Sequence, residues 1–288
     1  MRKKDHLLKN IIRKLIMLVF QLIPFSLAVK IVKKWPRKSE YLPRSISLTI
    51  NDYLNDINAN IDTTYPIERN MLTGVYDPQL QSIIEKYVKE GDICLDVGAN
   101  IGAISLSLAK KVGASGKLYA FEPGPFLYQR LCNNFHLNLN LEKVTTCINK
   151  GISDEIGELF WNEEEYNRGN ANLLAKSGTS VPITTLDKYF EKEKLQNLTF
   201  VKIDVEGMEY EVMKGGIKTL KSFKPIIYFE THPIFEEIRK MNLHQMIDEL
   251  LTPLGYDFYM PSESGLVKKE RLENLGTDTL AIPCKKDS

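Results

Sequence analysis

Asp92-Ile-Cys-Leu-Asp-Val-Gly-Ala-Asn-Ile-Gly102 is the stretch on which the fold turns. Ile93 to Val97 reads as a buried strand, Gly98 and Gly102 as a turn, and Ile104 to Val112 as an apolar helix. A parallel strand feeding a helix through a glycine turn lets the backbone approach a nucleotide-like ligand closely.

Outward from that turn, strand and helix patterns alternate. Leu80, Ile83, Ile84, Tyr87 and Val88 repeat at helical spacing, from Asp77 as a candidate N-cap to a stop at Gly91. Downstream, strands are expected over 118–121 and 144–148, with a helix over 126–138 between them. Two further strands, 157–161 and 181–184, flank a polar loop over 162–179 that carries Tyr166 and Arg168 and suits an acceptor lid. Next come a short helix over 186–191, a strand over 198–203, one helix over 208–220, a strand over 225–229 and one helix over 234–251. Two closing strands are expected at 256–260 and 279–282. This order predicts an α/β, doubly wound, Rossmann-like sheet that is mostly parallel, with helices on both faces. Residues 76–288 form the body, and residues 41–75 read as a partly helical lead-in.

Residues 1–40 differ in kind. They carry eleven Lys/Arg against Asp5 and Glu40, a balance of +9, so the remainder of this +1 chain sums to −8. A basic arm on a mildly acidic body argues against a nucleic-acid-binding core. Leu15 to Val29 is almost wholly apolar but contains Pro24, and fifteen residues fall short of a bilayer span. Ser26-Leu27-Ala28 resembles a signal cleavage site, yet the cations from Lys30 to Lys38 oppose translocation. An interfacial helix over 1–38 on an anionic membrane, with Trp35 at headgroup depth, fits both features, and a helix packed on the body is the alternative. The expected location is cytoplasmic, at the inner face of the membrane. Cys94, Cys132, Cys147 and Cys284 are widely spaced, as reduced thiols are, and give no disulfide framework.

Ligands of such sheets sit at the carboxyl ends of the strands. Those ends carry Asp96 with Gly98, Asn100 and Gly102, then Glu122, Asp154, Asp204 with Glu206, and Glu230 with His232. A ring of carboxylates suits a pyrophosphate poorly. It suits S-adenosylmethionine, with its cationic sulfonium and ammonium and two ribose hydroxyls that a carboxylate accepts. The 24 residues from Gly98 to Glu122 are one helix plus one strand. NAD enzymes use a similar spacing, and an NAD-dependent oxidoreductase is the alternative, although Gly98-Ala-Asn-Ile-Gly102 lacks the third glycine of that fingerprint. A non-catalytic binding protein built on the same scaffold is the other alternative.

Together, Leu95-Asp-Val-Gly-Ala-Asn-Ile-Gly102, Phe121-Glu-Pro123, Gly151-Ile-Ser-Asp154 with Gly157, Thr185-Leu-Asp187 and Val201-Lys-Ile-Asp-Val-Glu-Gly-Met-Glu209 with Gly215 resemble the FkbM-type S-adenosylmethionine-dependent methyltransferases. The resemblance runs from about Tyr76 to Glu230. It implies O-methylation of sugar or polyketide hydroxyls, with Asp96, Gly98, Asn100 and Gly102 lining the methionine moiety, Glu122 on the ribose and Asp154 facing the adenine amino group. A hydroxyl acceptor needs its proton removed or a metal to activate it. Asp204, Glu206, Glu230 and His232 are the groups available as base or as ligands of a divalent ion. His232 precedes Pro233, which favours an extended backbone, and helix capping is its competing role, as it is for Glu206. His6, His136 and His244 read as remote from any strand end.

Overall fold

The computed structural model describes residues 47–62, 65–72, 74–162, 177–262, 265–270 and 278–284, with residues 15 and 27 besides. The expected membrane-contacting arm and the expected lid with Tyr166 and Arg168 lie outside the described residues. The chain divides into two compact units, Met1–Pro78 and Gln79–Ser288.

In the first unit, β1 (Ser47–Tyr53) and β2 (Ile57–Asp62) form an antiparallel hairpin, followed by α1 (Pro66–Met71). The expected partly helical lead-in thus holds, among the described residues, a β-hairpin as well as a helix. The strand signal is the period-two burial of Ile57, Ala59 and Ile61 opposite Ile50 and Tyr53, diluted in sequence by the intervening Asn and Asp. Leu54 and Asn55 turn the chain at positive φ without a glycine to advertise it.

The second unit opens with α2 (Pro78–Tyr87, its first residue the last of the preceding unit), which buries Leu80, Ile83 and Ile84. There follow β3 (Ile93–Val97), α3 (Ala103–Val112), β4 (Lys117–Phe121), α4 (Pro125–His136), α5 (Leu139–Val144) and β5 (Thr145–Ile148). Next are β6 (Gly151–Ile152), β7 (Gly157–Trp161), β8 (Thr179–Thr184), α6 (Leu186–Glu193), β9 (Phe200–Ile203), α7 (Glu209–Lys214) and α8 (Ile217–Phe223). β10 (Ile226–Glu230), α9 (Pro233–Arg239), α10 (Leu243–Leu251), β11 (Tyr256–Ser262), β12 (Gly265–Lys269) and β13 (Asp278–Pro283) complete it.

The main sheet runs β12-β11-β13-β10-β9-β3-β4-β5. Its five strands from β10 to β5 are parallel, and β13, β11 and β12 continue it antiparallel. This is the expected doubly wound sheet. Leu95 and Val97 face a core shared with Phe190 of α6, Val212 and Met213 of α7, Leu220 of α8 and Ile247 and Leu251 of α10. Asp96, pointing to the opposite face, meets Ser105 of α3. A small separate sheet, β6-β8-β7, occupies the place where the alternation breaks in sequence.

Two expected single helices are each broken. Gly215-Gly216 separates α7 from α8, and a Cβ at Gly215 would lie 2.0 Å from the Ser153 carbonyl oxygen, so the corner closes onto the chain after β6. Lys240, at φ 54°, ends α9 before Asn242 caps α10 through Gln245 N–H. α5 and β12 also exceed the expectation, each being too short for a period to stand out.

Candidate active site

Backbone hydrogen bonds staple the carboxyl ends of the parallel strands together. Gly98 and Ala99 N–H donate to the Phe121 carbonyl, Asp204 N–H to Val97 and Glu122 N–H to Ile148. Phe229 pairs with Ile203 in register, so the edge reads Glu230, Asp204, Gly98, Glu122, Asn149 from strand to strand.

The glycine turn at the centre is held by geometry that only its own sequence allows. Gly98 (φ 82°), Asn100 (φ 53°) and Gly102 (φ 94°) all lie in the left-handed region. A Cβ on Gly98 would stand 1.8 Å from the Asp204 carbonyl oxygen, so two strand ends touch where the glycine is. Gly98→Ala is expected to cost at least 2 kcal/mol, roughly, from overlap plus strain, and to abolish cofactor binding. Thermal unfolding of the variant checks the first part and calorimetry the second.

Asp96 lies beneath the turn, not in it. Its carboxylate is fully buried, accepts from Ser105 Oγ at 2.6 Å and faces Lys202 Nζ at 3.1 Å. Its Oδ1 gains no well-aligned hydrogen bond, so that contact is chiefly electrostatic. Burial pushes the Asp96 pKa up, while Lys202 and Ser105 pull it down. Direct contact with a methionine moiety is thus open to the turn above rather than to this side chain.

Lys202 is the residue that sequence reasoning passed over. It is 4% exposed, and its ammonium donates to the Gly98 carbonyl at 2.8 Å and lies 3.3 Å from Asp204 Oδ2. One cation therefore ties the glycine turn, Asp96 and Asp204 together. The available signal was a lysine in the middle of a buried strand, where an unpaired charge is prohibitive.

Glu122 closes the other side. Its Oε2 accepts Asn100 N–H at 2.8 Å and its Oε1 accepts Gly124 N–H at 2.9 Å. Burial raises its pKa to about 7 against those two hydrogen bonds. Asn149, also unremarked in sequence, donates from Nδ2 to the carbonyls of Glu122 and Pro123 and fixes the path of that loop. Asp154 is not brought into this group. It pairs with Lys214 Nζ of α7 at 2.6 Å, which lowers its pKa.

Asp204, Glu206 and Glu230 gather on the far side of the turn. Burial and then the neighbouring Asp204, Glu230 and Glu209 raise Glu206 to about pKa 8. Glu206 holds φ 56°, a conformation stabilised only by its surroundings. It does not serve as the cap. Nor is there a side-chain cap at Met208; instead Glu209, the first residue of α7, holds the turn before the helix, its Oε1 accepting Gly207 N–H at 3.1 Å and Val205 N–H at 3.3 Å. α9 braces this turn: Phe235 fills the space a Gly207 side chain would need, and Arg239 bonds Glu211 through both nitrogens and the Gly207 carbonyl.

His232 has the expected extended backbone (φ −113°, ψ 130°) and caps α9, Nδ1 accepting Ile234 N–H at 3.2 Å. That bond leaves the proton of the neutral ring on Nε2, so the ring presents a donor rather than a base. The expectation for His244 is corrected. It is buried, its Nε2 lies 2.7 Å from Oγ1 of the buried Thr231, and Nδ1 lies 3.0 Å from Glu236, because the break after α9 folds α10 back onto the strand end. Among the described residues, no three His, Cys, Asp or Glu side chains converge as a metal-holding group.

Glu122, Glu206 and Glu209 titrate above the ordinary glutamate value of 4.5, the last also at about 7 through burial. The folded chain therefore holds more protons than the unfolded one between about pH 4.5 and about pH 8, and stability falls as pH rises through that window. Melting temperature is expected to decline from about pH 5 to about pH 8, and Glu206→Gln to flatten the upper part of the decline.

The model of the Methyltransferase FkbM domain matches residues 96–258, which takes in the glycine turn and the strand ends from Asp96 to His232. The chain belongs to that family. Among the curated relatives of this FkbM domain are the hexuronic acid methyltransferase AglP of Haloferax volcanii and the methyltransferase sdnD of Sordaria araneosa. The first is 28% identical over 141 residues, 48% of this chain and 56% of that protein. The second is 29% identical over 154 residues, 42% of this chain and 59% of that protein. The chain thus spans somewhat over half the length of each. A crystal structure of methyltransferase FkbM from Methylobacillus flagellatus KT aligns with a TM-score of 0.45 at 15% identity, covering 76% of this chain and 53% of that one. The donor set of this FkbM domain fits a sulfonium nucleoside: acids on both sides of a glycine turn, and a carboxylate at the neighbouring strand end.

Proposed function

We propose that the chain is an S-adenosylmethionine-dependent O-methyltransferase acting on a hydroxyl of a sugar or lipid-linked saccharide. The observation that carries the reading is the strand-end row in which a glycine turn, closed onto Glu122, stands beside Asp204, Glu206 and Glu230. Family membership and the saccharide-related name of the relative AglP support it.

When bound, S-adenosylmethionine supplies an electrophilic methyl group. Glu122, with its carboxylate already fixed by Asn100 and Gly124, retains lone pairs for the ribose hydroxyls. Gly98 and Asn100 shape the turn against the methionine part. Glu206, poised near pKa 8, takes the proton from the acceptor hydroxyl, and a base titrating close to the working pH suits this task. Burial, with the neighbouring Asp204 and Glu230, holds Glu206 at that value, and His232 offers Nε2–H to orient the acceptor.

Incubating the protein with methyl-labelled donor and fractionated cell envelope tests the reading. Label in a saccharide fraction that survives mild alkali is the expected result, since ethers resist hydrolysis and methyl esters do not. Label confined to alkali-labile material would replace hydroxyl with carboxyl as the acceptor.

The cationic flanks of the apolar run in the arm support a location at the cytoplasmic face of a membrane. Deleting residues 1–38 is expected to move the protein from the membrane fraction to the supernatant, and an unchanged partition would remove the arm from this role.

A further inference from the structure

We propose that His244 is a positioning residue for the transfer step, holding Glu230 and His232 in the strand-end row through the hydroxyl of Thr231. The inference rests on the reading of that row as the place where an acceptor hydroxyl is methylated. Ile227 and Phe229 of β10 lie in the core shared with Ile247 and Leu251 of α10. Thr231 continues their alternation past the end of the strand and is fully buried, while Glu230 is partly buried and His232 exposed. His244 stands at the head of the same α10 stripe, one turn before Ile247. The contact between strand and helix at the end nearest the acids is therefore a hydroxyl on an imidazole, where the contacts behind it are apolar.

The bond has a direction because the ring is held from its other side. Nδ1 lies 3.0 Å from Glu236 Oε1, which also accepts the His244 backbone N–H at 3.1 Å. An ionised carboxylate only accepts, so in the neutral ring Nδ1 carries the proton and the Nε2 lone pair receives the Thr231 hydroxyl at 2.7 Å. Apolar side chains of the same shape would fill this space at nearly equal stability, but they would not fix where Thr231 sits. What hangs from Thr231 is the candidate chemistry. Its neighbours in sequence are Glu230, which together with burial and Asp204 raises Glu206, and His232, whose Nδ1 is committed to Ile234 N–H. Glu236 belongs to α9 as His244 belongs to α10, so both helices meet the end of β10 in one chain of hydrogen bonds.

Two amides tell the ring nitrogens apart. His244→Gln puts its amide where Nε2 lies and keeps a partner for Thr231, whereas His244→Asn reaches only as far as Nδ1 and keeps Glu236 alone. Methyl transfer from labelled S-adenosylmethionine to the envelope saccharide fraction is expected to stay within about threefold in His244→Gln. In His244→Asn it should fall by about 10–10²-fold, the range of a small misplacement. Calorimetry should give the same Kd for S-adenosylmethionine in both. Thr231→Val should lose as much turnover as His244→Asn, and the double variant no more than either, because both remove one bond. Undiminished transfer by His244→Asn would overturn the inference while leaving the transfer reading intact. Equal losses in the Gln and Asn proteins, in step with their melting temperatures, would overturn it too, by making the contact a matter of stability alone. No transfer by the unaltered protein would overturn the transfer reading and this inference with it.

Discussion

Lys202→Met is expected to be the most damaging single substitution at the site. It leaves Asp96, fully buried, facing no cation, and it unties the Gly98 carbonyl and Asp204 at once. Removing one partner of a buried pair costs about 3–5 kcal/mol, mostly because the other charge stays behind. For a body of this size that is a fall in melting temperature of roughly 10 °C. Cofactor affinity is expected to drop at least tenfold, roughly, since the turn loses its clamp to β9. The double variant Asp96→Asn with Lys202→Met should be milder than Lys202→Met alone, because no buried charge is orphaned. Thermal unfolding of the three proteins measures this directly. Wild-type stability in Lys202→Met would mean that the clamp contributes nothing.

Glu206→Gln is expected to separate chemistry from binding. The side chain neighbours three acids but takes no part in the glycine turn proposed to hold the cofactor, so affinity should stay within about threefold while turnover falls by about 10²–10⁴, the range of a lost general base. Its raised pKa also sets a pH signature. Activity should climb with pH up to about 8 in the unaltered protein, as Glu206 ionises, and the variant should lose that limb. His232→Ala is expected to be gentler, because its Nδ1 serves the cap of α9 and only Nε2–H faces outward in role. A reversed order of the two effects would move the base to the imidazole.

Much of this was legible before the structure. The parallel core announces itself because strands buried on both faces are runs of Val, Ile, Leu and Phe, and because Gly98, Glu122, Asp204 and Glu230 each stand one step past such a run. The hairpin of residues 47–62 was not, since its alternation is written with Ala59 and with Asn and Asp between the apolar positions. Breaks within 208–223 and 233–251 were hidden for the same kind of reason. Apolar spacing carries across Gly215-Gly216 and across Lys240, while the backbone does not. The acids named from the sequence do stand where the parallel strands end, but which groups they meet was not legible. Asp154 joins Lys214 instead of the central row, and Asp96 works from below. Lys202, Asn149 and Glu209 act by fixing backbone, and pattern reading looks for reactive groups rather than for the groups that hold them.

The central claim is that the acid-flanked glycine turn binds a sulfonium nucleoside and not a pyrophosphate dinucleotide. Isothermal calorimetry of the full chain with S-adenosylmethionine and with NAD, each repeated on Glu122→Gln, tests it most directly. The account predicts saturable binding of S-adenosylmethionine, no tighter binding of NAD, and a loss of about tenfold in Glu122→Gln, the worth of a charge-assisted hydrogen bond. Tighter binding of NAD than of S-adenosylmethionine would contradict it.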